Sequence, residues 1–385
     1  MGTVRRISRS ALAVGTGLCG LVGAVALASL VAFKCDGDAA RRATFAGFET
    51  AHGIDLQGSV SATELFDGTV LLLGRTSERN GFGGWASEDA VVRYDPRTGT
   101  VSTTAPLPFV MGSLTATRLN DGRVLVVQGS VATLFDPGAN SFIQTGSPVS
   151  PLHAATAVLL EDGRVLFAGA LVADPRQPGP AEIYDPRTGR FREIAGMGEP
   201  ALRPHGVAVR GGAIFVAGQR LERFDSATER FERVLIELPT SNPTMTLLGD
   251  GRVLLSGGYE GTPQLAASRD QSVGVPASRQ LWILDPSTFA LLSLGSMTEP
   301  RFMHTATDLR DGRVLISGGD ADTHRDRTLN SAEVVDLRTG ALLAAFSMVA
   351  PRSRHAALLL VDGRVLLAGS VSVLPAAPVE LFTPP

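Results

Sequence analysis

Arginine and histidine recur in this chain just ahead of short β-prone runs: His153, Arg203, His205, Arg301, His304, Arg352, Arg354 and His355. A guanidinium can clamp a carboxylate or sugar hydroxyls with parallel hydrogen bonds. Imidazole beside a glutamate can move protons near neutral pH. Trp85 and Tyr259 lie in irregular segments and add aromatic faces for stacking. The candidate ligand-binding residues are therefore Trp85, Arg203, His205, Tyr259, Arg301, His304, Arg352, Arg354 and His355. The competing reading makes the arginines and histidines framework, packing and hydrogen-bonding between repeated units. No acid–base pair is singled out by spacing, so the catalytic residues stay unassigned. Glu78, Glu88 and Glu260 fall in loop-like segments and read as solvated, while Trp282, Tyr94 and Tyr184 read as core.

Metal and thiol chemistry find little support. The six histidines are scattered, and no acidic loop has calcium-site spacing. No metal or cofactor is expected. Cys19 and Cys35 both lie in or just after an N-terminal leader. The body of the chain thus has no disulfide framework, cysteine zinc site or cysteine nucleophile.

A repeat must position these side chains. An Asp-Gly element followed by an apolar run occurs at Asp67-Gly68, Asp121-Gly122, Asp162-Gly163, Asp250-Gly251, Asp311-Gly312 and Asp362-Gly363, with a degenerate seventh copy at Gly211-Gly212. Asp-Gly between β-rich runs predicts a hairpin with a primed turn, because glycine accepts positive φ. A second element, apolar–aromatic–Asp-Pro, follows at Tyr94-Asp95-Pro96, Phe135-Asp136-Pro137 and Tyr184-Asp185-Pro186, with looser copies at Asp225, Asp285 and Asp336. Asp-Pro stops a strand and opens a turn. Each unit is thus four antiparallel strands in roughly 40–60 residues.

Together these elements resemble the Kelch repeat and the propeller of the galactose oxidase superfamily. The resemblance implies an all-β fold, a single seven-bladed β-propeller of four-stranded antiparallel blades over residues 41–385. The last unit stops after a third strand at Val379–Pro384, and Thr44–Phe48 supplies a strand without a unit, so an N-terminal strand is expected to close the ring. The start of each first strand shares a face with the loop between second and third strands. That face collects the irregular segments 75–89, 170–180, 259–279 and 320–330, with His324 in the last, and is the expected binding face. The family's copper centre uses a tyrosine–cysteine crosslink, which a cysteine-free body disfavours. A sugar epimerase or mutarotase of this type would need only a few polar groups. The leading expectation is a non-catalytic module that binds a protein or glycan, with those enzymes or a structural role in the cell envelope as alternatives.

Arg5, Arg6 and Arg9 precede an uncharged stretch over residues 10–33, ended by Lys34, Asp36 and Asp38. Such a leader is long enough to span a bilayer as a helix and directs the rest outward. Residues 1–40 are expected to be a signal anchor, or a signal peptide cleaved near Ala26-Leu27-Ala28. The protein is then extracytoplasmic, membrane-anchored or secreted. Without Arg5, Arg6, Arg9 and Lys34 the formal charge of -3 falls to about -7, and no basic patch appears, so nucleic acid is not an expected partner.

Overall fold

The Asp-Gly copies are the tight turns that space the strands. In the computed structural model the described residues are 46–385, apart from 80–84, 113, 154, 170–179, 199–203, 261–274, 323–326 and 371–376. Gly122 N–H donates to Leu119 O at 3.0 Å, and Leu119 N–H donates to Arg123 O at 2.8 Å. Only Gly122, at φ 89°, enters the left-handed region, while Asn120 and Asp121 stay out of it. The turn is therefore an ordinary one followed by a glycine bulge, not the expected primed turn. The aspartate explains the choice: its Oδ1 accepts from Arg123 N–H at 3.0 Å and holds its own backbone in place.

Twenty-seven strands and no helix form among the described residues. The first four are β1 (Gly47–Glu64), β2 (Val70–Arg79), β3 (Trp85–Asp95) and β4 (Thr100–Thr103). Five four-stranded antiparallel sheets follow in chain order. The first holds β5 (Thr115–Arg118), β6 (Val124–Gln128), β7 (Val131–Asp136) and β8 (Ser141–Gln144). The next holds β9 (Thr156–Leu159), β10 (Val165–Ala168), β11 (Ala181–Asp185) and β12 (Arg190–Ile194). Then come β13 (His205–Val209), β14 (Gly212–Ala217), β15 (Arg220–Asp225) and β16 (Arg230–Val234). β17 (Thr244–Leu247), β18 (Val253–Ser256), β19 (Gln280–Leu284) and β20 (Leu291–Ser296) make the fourth. β21 (Thr305–Asp308), β22 (Arg313–Ser317), β23 (Ser331–Asp336) and β24 (Leu342–Ser347) make the fifth. The chain ends with β25 (Ala356–Leu359), β26 (Val365–Ala368) and β27 (Ala377–Thr383).

β1 serves two partners. Its first part pairs with β27, from Gly47↔Thr383 to Leu56↔Ala377, and its second with β2, from Gln57↔Arg75 to Glu64↔Val70. The result is one seven-stranded sheet in the order β25-β26-β27-β1-β2-β3-β4. Of the expected strand Thr44–Phe48, residues 44 and 45 lie outside the described residues, and the strand that pairs with β27 runs on past Phe48 to Leu56. Segment 75–89 is also not the irregular loop expected: β2 and β3 stay paired out to Arg79↔Trp85, and Arg75 Nε meets Asp89 Oδ1 at 3.1 Å.

The core lies between sheets. On β10, Val165 and Phe167 pack with Leu125, Val127 and Leu134 of the preceding sheet, while Leu166 and Ala168 pack with Ala213, Phe215 and Phe224 of the next. Strands such as β10, β18 and β26 are buried on both faces, so they read as unbroken aliphatic runs. First strands neighbour one another in order, β1 on β5, β5 on β9, and so on to β21 on β25 and β25 on β1. No helix among the described residues is long and apolar enough to cross a membrane, and the leader lies outside them.

Candidate functional site

Two of the candidate arginines end in buried carboxylates. Arg352 and Glu380 are both 0 % exposed, with Arg352 Nη2 2.7 Å and Nε 3.1 Å from Glu380 Oε1. Arg352 also donates to the carbonyls of Gly369 (2.9 Å) and Pro378. Burial pushes its pKa down, opposed by the Glu380 charge. Arg301 repeats the arrangement one sheet earlier, donating to Glu333 Oε1, Ser331 Oγ and Ser331 O at 2.9 Å and to Gly318 O at 2.8 Å. The glutamates have a second duty. Glu380 Oε2 accepts from Val349 N–H, Glu333 Oε2 from Thr298 N–H and Glu222 Oε2 from Gly198 N–H. Glu182 accepts from both Val149 and Ser150 N–H. Each carboxylate thus ties the third strand of its sheet to the incoming connection.

The histidines bridge neighbouring sheets. His304 Nε2 lies 2.8 Å from Ser256 Oγ, and His355 Nε2 lies 3.1 Å from Ser317 Oγ and 3.0 Å from Thr305 Oγ1. Both rings are buried, and both Nδ1 atoms lack a partner among the described residues. Burial, together with the nearby Arg352, lowers the His355 pKa to about 3. Burial holds His304 well below its ordinary value too, and the Arg301 charge further opposes its protonation. These are neutral imidazoles. The serines they meet are 0 % exposed, which removes them as nucleophiles for a diffusing substrate.

The open space lies elsewhere. A cavity of about 1450 Å³ is lined by the far ends of the first strands: Thr63, Thr117, Thr246, Thr307, Ala157 and Leu358. Glu64, Arg118 and Asp308 stand in its wall. It opens toward the Asp-Gly turns, not toward the expected binding face. Arg118 Nη1 donates to Glu64 O at 2.7 Å, and its guanidinium covers the Phe66 ring at 4.9 Å. From the strand ends the cavity continues outward between β20 and the following sheet, past Ile283, Leu292 and Leu294 on one side and Gly312, Leu337 and Arg338 on the other.

No family model matches the chain, and no curated protein matches it. Among solved structures it is similar to a fungal alcohol oxidase of the AA5 family, determined in complex with copper. The TM-score is 0.66 at 15% identity, covering 88% of this chain and 76% of that one. The fold is that of a galactose oxidase-like β-propeller.

On this propeller the other candidates scatter. Tyr259 is buried, its hydroxyl accepts from Asn242 Nδ2 at 2.9 Å, and burial raises its pKa. Arg354, at φ 55°, donates its N–H to Met303 O at 2.9 Å and its Nε to the Met303 sulfur. His205 begins β13 opposite Val216, with a pKa lowered by burial. The Trp85 backbone pairs with Arg79, and its side chain lies outside the description, as do Arg203 and His324. Tyr94 and Tyr184 are core as expected, and Trp282 is half-buried where other blades place the glutamate. The sequence reading missed Glu182, Glu222, Glu333 and Glu380. Their signal was a glutamate three positions before the residue that closes each third strand, at Asp185, Asp225, Asp336 and Thr383. It also missed Asp320, 0 % exposed, which accepts from Thr328 Oγ1 at 2.7 Å and Ser353 Oγ at 2.6 Å.

Proposed function

We propose that the chain is a seven-bladed propeller, closed by β1, that acts outside the cytoplasm as a non-catalytic binding module for a protein or glycan. The axial cavity is its recognition site. What carries this reading is the division of labour in the blades. The side chains with chemistry, Arg301, Arg352, His304 and His355, are tied into the framework, while the cavity is open and lined by small and aliphatic residues with arginines and carboxylates at its wall. Closure is supported by the β1–β27 pairing and by first strands that neighbour one another all the way round. The N-terminal leader supports placement outside the cytoplasm.

The copper of the similar oxidase finds no matching set of donors among the described residues. No group of three His, Cys, Asp or Glu side chains among the described residues could hold a metal ion. Both cysteines precede the propeller, and the hydroxyls of Tyr184 and Tyr259 are bonded to Thr145 and Asn242.

The test is a screen of the full-length chain against arrayed glycans and a random peptide library. Leu247, 41% exposed on the cavity wall, is changed to Trp as the control. Binders that Leu247→Trp abolishes without lowering the melting temperature support the reading. Binders indifferent to it, or none in either collection, reject it.

A further inference from the structure

The outer arm of the cavity runs along uncharged edge strands. β20 (LLSLGS) and β24 (LLAAFS) contain no charged residue, as β4 (TVST) and β8 (SFIQ) do not, but they are longer and richer in aliphatic side chains; β12 (RFREI) and β16 (RFERV) carry arginine and glutamate. Charge on an edge strand discourages pairing with a stranger. These two edges lack it, and Leu292 on β20 stands 64% exposed in the cavity wall.

Two arginines flank the same arm. Arg310 and Arg338 are exposed, and their guanidiniums make no ion pair or hydrogen bond among the described residues. The repeat supplies its own control. At the position of Arg338, two residues after the strand-ending aspartate, Arg97 pairs with Asp95 at 3.0 Å and Arg187 with Asp185 at 3.2 Å. All three aspartates accept the arginine's own N–H, but Asp336 also takes the Thr339 N–H and the Thr339 hydroxyl, and no Arg338–Asp336 ion pair forms among the described residues. Arg310 is the one residue at its turn position with positive φ, at 60°. An arginine seldom holds that conformation unless its surroundings impose it. Asp308 does so, accepting Arg310 N–H at 2.9 Å and, across the blade boundary, Gly249 N–H at 2.7 Å.

The carboxylates of the cavity are already engaged. Asp250 holds Arg252 at 2.7 Å, Glu64 accepts Val361 N–H at 3.0 Å, and Asp308 is spent on the two amides. Four arginines of the lining, Arg118, Arg252, Arg310 and Arg338, stand against three carboxylates, Glu64, Asp250 and Asp308, so the cavity carries one positive charge in excess, with Arg310 and Arg338 beside exposed leucine. We propose that this arm, between the β17–β20 and β21–β24 sheets, takes an extended peptide segment of a partner protein. Its aliphatic side chains lie against Leu292 and Leu294, and a carboxylate reaches Arg310 and Arg338. The proposal rests on the cavity being the recognition site and names what enters it.

The experiment is fluorescence anisotropy on the full-length chain in detergent. The probe is a fluorescein-labelled decapeptide of alternating leucine and glutamate; one version replaces glutamate by lysine and another replaces leucine by serine. The expected result is saturable binding of the leucine–glutamate probe alone. Arg310→Glu with Arg338→Glu should weaken it at least tenfold and transfer preference to the lysine version. Leu292→Ser should weaken it several-fold, and Leu235→Ser, at an 88% exposed site outside the cavity, should leave it unchanged. Circular dichroism and melting of each variant separate lost binding from lost fold. Equal binding of the lysine version, indifference to the double arginine variant, or no saturable binding overturns the proposal. Should screened ligands still be lost on Leu247→Trp while the arginine variants change nothing, the binding function stands and only the acidic peptide falls.

Discussion

The Arg352–Glu380 pair makes the strongest stability prediction, because Glu182 supplies a matched control. Both glutamates occupy the same third-strand position, both are 0 % exposed, and both accept backbone N–H groups of the incoming connection. They differ in one respect. Glu380 also holds a fully buried guanidinium, whereas Leu152 stands where an arginine would meet Glu182. Glu380→Gln leaves Arg352 charged with only neutral carbonyls at Gly369 and Pro378 for company. Removing one member of a buried ion pair costs about 3–5 kcal/mol. Glu182→Gln strands no charge, and burial already pushes the Glu182 pKa up toward its neutral form. Its cost is that of a poorer acceptor for two amides, about 1–3 kcal/mol. Urea unfolding followed by circular dichroism should put the Glu380→Gln midpoint clearly below that of Glu182→Gln. Replacing both partners, Arg352→Met with Glu380→Leu, should recover much of the loss, since paired apolar substitutes avoid the desolvation cost. Equal midpoints for the two single variants would refute the reasoning.

Three further outcomes follow from the same framework. The unfolded chain takes up a proton on His355 near pH 6.5, but the folded chain does so only near its lowered pKa of about 3. Stability is therefore full above pH 6.5 and is lost as pH falls between those values, by up to about 4–5 kcal/mol for this residue. His304 acts in the same direction and Glu182 opposes it, so His355→Gln should flatten the slope of urea midpoint against pH between 6 and 4. Ser256→Ala leaves the buried His304 Nε2 without its hydroxyl, whereas Ser317→Ala leaves His355 with Thr305, so the first should lower the melting temperature more. Deleting residues 43–50 removes the pairs from Gly47↔Thr383 to Thr50↔Glu380 and the Phe48–Phe382 ring contact at 4.8 Å; an unchanged melting temperature would count against closure by β1.

The blades were legible because their punctuation is local. An Asp-Gly turn needs only its own aspartate and glycine, so Asp121-Gly122 announces itself wherever it sits. The turn type was misread because the aspartate side chain, not the glycine alone, sets the backbone. The site was less legible for two reasons. Arg301 and Arg352 look the same in sequence whether they meet a ligand or a glutamate; what decides is Glu333 or Glu380, about thirty residues on, inside runs that read as plain strand. The cavity is assembled from Thr63, Thr117, Thr246 and Thr307, one per blade, and no single repeat carries its shape. The β2–β3 hairpin read as a loop because Arg75, Glu78, Glu88 and Asp89 look solvated, and cross-strand pairing suits them equally well.

The double duty of β1 also orders the protein in time. As the chain emerges, residues 57–64 can pair at once with β2, but residues 47–56 wait for β27, nearly the whole length later. Closing a loop of that size costs about 5 kcal/mol of chain entropy, and the many contacts between distant segments make folding slow. Until β27 arrives, the first half of β1 and the outer edge of β26 both lack their partner, and a second chain can supply it to either. Domain swapping during synthesis is the failure that the proposed closure by β1 invites.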